Sequence, residues 1–112
     1  MGSTPEEHRK QLLVNITNYR RRIVVLKQQQ AMTSAGISED LIRSQVKMAE
    51  QRMISLRESQ LLNEELEKIY SRKLQLLRMM LAKEIPYADV SVLLQIEEAE
   101  TGIEQLQKLL AS

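Results

Sequence analysis

The sequence predicts an all-helical chain built from two related helical hairpins. Three observations carry that expectation. Its three glycines and two prolines stand mostly where helices need ends. Apolar residues recur at alternating steps of four and three, the spacing that keeps one face of a helix against a neighbour. The second half of the chain also repeats the pattern of the first.

Helix one is predicted to begin near Pro5. Thr4 is placed to cap it, Pro5 needs no amide donor in a first turn, and Glu7 completes a capping box. Its apolar row is Leu12, Ile16, Tyr19, Ile23 and Leu26, and it ends near Thr33, before Ser34-Ala35-Gly36. Helix two starts after Ser38, a good N-cap, with Glu39 and Asp40 at the positive end of the dipole and Ile37 placed to staple onto Ile42. Its row is Ile42, Val46, Ala49, Met53 and Leu56.

No glycine or proline follows until Pro86, and the same phase returns as Tyr70, Leu74, Leu77 and Leu81. The favoured reading is therefore three helices with a long central helix of about 46 residues, roughly 70 Å at the helical rise. Within it the row is polar at Gln60, Asn63 and Glu67, which marks either a seam crossing between partner helices or a break near 57–63. A break would give Asn63 as the cap of a new helix and a four-helix bundle. The final helix carries Val92, Ile96, Ala99, Ile103, Leu106 and Leu110. Gly102 lies off this row and is expected to cost about 1 kcal/mol of helix propensity.

At an offset of about 51 residues, Tyr19, Arg21, Ile23, Leu26 and Ala31 match Tyr70, Arg72, Leu74, Leu77 and Ala82. At an offset of about 50, Ile42, Val46, Ala49, Glu50, Met53 and Leu56 match Val92, Ile96, Ala99, Glu100, Ile103 and Leu106. The chain thus reads as one helical domain, 1–112, with an internal repeat at about 12–61 and 63–111. Each copy is an arm, a turn and a return arm with a small alanine at its centre. Leu13, Val24, Val25, Leu41, Met48, Ile54, Leu62, Ile69, Met80, Leu93, Leu94 and Leu109 widen the stripes beyond a two-stranded seam. Further helices, from this chain or another, are needed to cover them.

Composition removes several function classes. There is no cysteine, so disulfides and thiol chemistry are out, and a reducing, cytoplasmic setting fits. No apolar run approaches the roughly 20 residues that span a bilayer, and the start lacks a signal-peptide core. His8 has no second histidine to pair with. The clusters Glu64, Glu65, Glu67 and Glu97, Glu98, Glu100 lack the Glu-x-x-His pairs of a di-metal bundle. The expectation is no catalytic residue, no cofactor, no metal, no membrane and no small-molecule substrate.

Charge is uneven. Residues 1–37 carry net +4, residues 38–85 net +1 and residues 86–112 net −4. With a continuous central helix the two charged ends lie apart, and Arg20, Arg21, Arg22 and Lys27 of one molecule would steer toward Glu97, Glu98, Glu100 and Glu104 of another. In a compact bundle they are neighbours within one chain.

The run Leu12-Leu13, Tyr19-Arg20-Arg21-Arg22-Ile23, Leu26-Lys27-Gln28-Gln29, Ala31, Gly36, Gln45-Val46 and Leu56 resembles helical-hairpin adaptor modules of bacterial defence and signalling proteins. In those families the hairpin sits beside STAND or NLR-like NTPase, TIR or caspase-like domains. The likeness covers the first hairpin and extends loosely to Tyr70–Leu110, where Gly36 has no counterpart and Pro86 marks the turn. It implies a small adaptor that joins an effector to its sensor, and it carries no catalytic residue. The functional expectation is an interaction module that oligomerises or docks a protein partner through its apolar stripes. The alternative is a small helical subunit of an RNA- or DNA-binding complex that contacts phosphates through Arg20–Arg22 and Lys27.

Overall fold

A computed structural model describes residues 4–112, and those residues form four α-helices and one 3-10 turn, with no strand among them. Helix α1 runs Pro5–Thr33, α2 Glu39–Glu58, α3 Glu64–Leu81 and α4 Val90–Ala111, with the 3-10 turn at Ser34–Gly36.

The first two starts follow their caps. Thr4 Oγ1 accepts from the Glu7 N–H at 3.2 Å, and Ser38 Oγ accepts from the Leu41 N–H at 3.3 Å. Each satisfies a first-turn donor that has no carbonyl of its own.

The long central helix expected from the unbroken apolar phase does not form. Helix α2 ends at Glu58, Ser59 closes it, and Gln60 takes the left-handed conformation with φ 59°. The Leu61 N–H returns to Leu56 O at 2.8 Å and the Gln60 N–H to Arg57 O at 3.1 Å. These two bonds form a Schellman closure, which stops a helix by occupying its last carbonyls. Asn63 then caps α3, its Oδ1 accepting from the Leu66 N–H at 2.9 Å, and Glu67 stands in the new first turn. The polar interval Gln60, Asn63, Glu67 is thus an end and a beginning. The same closure ends α3, with Lys83 at φ 62°, Glu84 N–H on Met79 O at 2.8 Å and Lys83 N–H on Met80 O at 3.0 Å.

The chain forms two compact units. One joins α1, as far as Met32, with Ser91–Ser112, and the other is Thr33–Val90. Each copy of the sequence repeat therefore gives one helix to each unit, and the helices that share a unit are not the consecutive arms of one copy. Helices α2 and α3 pack together, as a five-residue link between helices favours. Ile42, Ala49 and Leu56 are buried on α2, and Leu74, Leu76, Leu77 and Met80 on α3. The α3 set covers close to half the helix circumference, wider than a coiled-coil seam. Arg78 Nη2 meets Glu50 Oε1 across the pair at 3.2 Å, both largely exposed, so this bond adds at most about 1 kcal/mol.

In the other unit Leu26, Val92 and Ile96 form a buried cluster with Ile23 packed on it. Toward the opposite end Tyr19 lies against Gly102, and Leu12 borders a groove with Leu109 and Leu110. Contacts at 26 with 92 and at 19 with 102 make α1 and α4 antiparallel. Most of the +4 and −4 segments thus share a unit of the same chain, as in the compact alternative and not as in the continuous-helix one.

Candidate interaction surface

The apolar rows read from the sequence are turned inward. All twenty positions, from Leu12, Ile16, Tyr19, Ile23 and Leu26 to Val92, Ile96, Ala99, Ile103, Leu106 and Leu110, are buried or half-buried. Ala49 and Ala99 are buried at the centres of their rows, where a small side chain lets helices approach.

Of the residues that widen the stripes, Met80 is fully buried and Leu62, Leu93 and Leu94 are half-buried. Leu13, Val24, Val25, Leu41, Met48, Ile54, Ile69 and Leu109 stay exposed, and so do Val14, Met32 and Leu61, which lie outside the predicted stripes. Most of this bare apolar surface on the first unit is on α1. Val14, Val25 and Met32 follow at steps of eleven and seven, which stacks them along the side away from Leu12 and Leu26.

Arg20, Arg21, Arg22 and Lys27 are all exposed, but consecutive residues on a helix diverge by about 100°. Arg22 turns to an open groove with Asn15, Asn18, Tyr19 and Leu106, while Arg20 shares a row with Lys27, seven residues on. The three arginines thus face three directions. On α4, Glu97 is half-buried, Glu98 and Glu100 are exposed, and Glu104 pairs with Lys108 at 3.8 Å. None of Arg20, Arg21, Arg22, Lys27, Glu98 and Glu100 forms an ion pair among the described residues.

Among the described residues no group of three His, Asp or Glu is placed to hold a metal ion, and His8 is exposed in the first turn of α1. The Arg43 guanidinium is shifted by a neighbour on its own helix. Its hydrogen bond to Glu39 Oε1, 2.7 Å from Nη2, raises it above its ordinary value, and this is an exposed pair one turn apart on α2. No helix among the described residues is long and apolar enough to cross a membrane.

No family model, curated protein or solved structure matches this chain.

Proposed function

We propose that the protein is a non-enzymatic protein–protein interaction module that self-associates or docks a protein partner. In this reading it serves as an adaptor of the kind found in bacterial antiphage and signalling systems. The observation that carries the reading is the bare aliphatic surface of α1. Helix α1 buries Leu12, Ile16 and Leu26, yet leaves Val24, Val25 and Met32 exposed at 56%, 60% and 83%. A helix that needs only one side for its own chain has no use for aliphatic residues on the others, and such surface marks association sites. The stripe positions hold the chain together, and the docking surface is what lies outside them.

Light scattering over a wide concentration range tests this. The reading expects a mass that rises with concentration and an unfolding midpoint that rises with it. A strict monomer at every concentration contradicts it.

A second reading, phosphate contact by a nucleic-acid-binding subunit, rests on the exposed Arg20, Arg21, Arg22 and Lys27, which form no ion pair among the described residues. It expects polyanion binding that weakens steeply with salt and is lost when those residues are reversed in charge.

A further inference from the structure

We propose that one flank of the α1/α4 pair is the interface for a second copy of this chain, with α1 of each molecule lying along α4 of the other. The inference rests on the self-association just proposed and assigns it one flank, which shares Val24 with the bare surface of α1, and one occupant.

Two rows carry it, the one on α1 exposed along its length and the one on α4 half-buried at Leu93 and Glu97 and exposed from Glu100 on. On α1, Arg9, Leu13, Arg20, Val24, Lys27 and Ala31 are all exposed and follow at steps of three, four and seven. This row stands about a quarter turn forward of the buried Leu12, Ile16 and Leu26 and the half-buried Ile23. It alternates a cation with a small or aliphatic side chain. On α4, Leu93, Glu97, Glu100, Glu104 and Gln107 follow at the same steps, about a quarter turn forward of Val92, Ile96 and Ala99. This row is acidic at its centre.

The two offsets have the same rotational sense. In an antiparallel pair whose buried rows face each other, equal offsets bring both rows to the same flank. That flank therefore presents a basic row beside an acidic one. A two-fold axis lying in the plane of that flank, parallel to the two helices, sets the basic row of one molecule on the acidic row of the other, twice over, so the surface is self-complementary and the contact closes.

The charges are available for this. Arg20, Lys27 and Glu100 make no ion pair within the described chain, and Glu104 meets Lys108 at 3.8 Å with both side chains well exposed. Leu13 and Val24, 48% and 56% exposed, supply the apolar knobs between the cations. The outermost row of Val14, Val25 and Met32 has no charge pattern that selects an occupant and plays no part here.

The test is charge reversal with a mixing control, read by sedimentation velocity and light scattering at low salt. One variant carries Arg20→Glu and Lys27→Glu, and the other Glu100→Lys and Glu104→Lys. Each alone is expected to raise the self-association dissociation constant about tenfold or more, because like rows then meet. Mixed in equal amounts, the two variants are expected to form heterodimers as tight as the wild type, and all four changes in one chain are expected to restore self-association. A misfolded variant would not recover on mixing, so restoration separates lost contact from lost fold.

Wild-type self-association that neither variant weakens, or that mixing fails to restore, overturns this interface and leaves the module reading standing. A wild type that stays monomeric at every concentration overturns both. Salt-sensitive binding of single-stranded DNA that is lost on reversing Arg20 and Lys27, while self-association stays intact, assigns the basic row to phosphate and also overturns the proposal.

Discussion

The ring of Tyr19 lies so close over Gly102 that a Cβ built on the glycine falls 2.8 Å from Tyr19 Cζ and 3.1 Å from both Cε atoms. The glycine read from the sequence only as a weak point in α4 is a notch that lets α1 and α4 close on each other. Gly102→Ala should therefore fail to give the stabilisation of about 1 kcal/mol that alanine brings to a helix interior. In a Tyr19→Ala background the same change should stabilise by about that amount. Urea unfolding of the four proteins as a double-mutant cycle reads the coupling, and additive effects would refute the notch.

Gln60 and Lys83 hold left-handed conformations at the ends of α2 and α3, with φ 59° and 62°. A side chain there is strained by its Cβ, and glycine is not. Gln60→Gly and Lys83→Gly should each stabilise the protein by about 1 kcal/mol, with the urea m-value unchanged. Destabilisation by either, the usual effect of glycine inside a helix, would mean that the helix continues through that residue.

Asn63→Ala removes the acceptor for the Leu66 N–H and should cost about 1 kcal/mol. Asn63→Asp keeps the acceptor and adds charge at the positive end of the dipole, so it should cost little. Equal losses from both would remove Asn63 as a cap.

Leu77 and Met80 are wholly shielded, and truncating either to alanine should cost about 2 to 5 kcal/mol. Met48 is 65% exposed, so Met48→Ala should stay within about 0.5 kcal/mol in chemical denaturation at low protein concentration.

Much of the local structure was legible in the sequence. The caps at Thr4 and Ser38 and the end at Thr33 follow from side-chain chemistry within one turn, and the inward rows follow from helical periodicity. The break at Gln60 was only half legible. Asn63 announced a start, but the stop before it uses a glutamine where a glycine would have been visible, and the apolar phase runs on across the gap. The sharing of a unit by α1 and α4 was not legible. Apolar rows at the same steps fit any neighbour, and a repeat points first to consecutive pairing. The bare surface was also hidden, because Val14 and Met32 become distinctive only once the buried side of α1 is known.

The account turns on α1 and α4 of one chain lying side by side. The chain has no cysteine, so spin labels can be placed at Gln28→Cys and Ser91→Cys, both exposed, with unlabelled protein in excess to isolate distances within a molecule. Pulsed electron spin resonance should give one short distance, below about 30 Å, as two labels on packed helices about 10 Å apart require. A distribution centred at about 50 Å, the separation at which an unbroken central helix would hold the two hairpin turns, would contradict it.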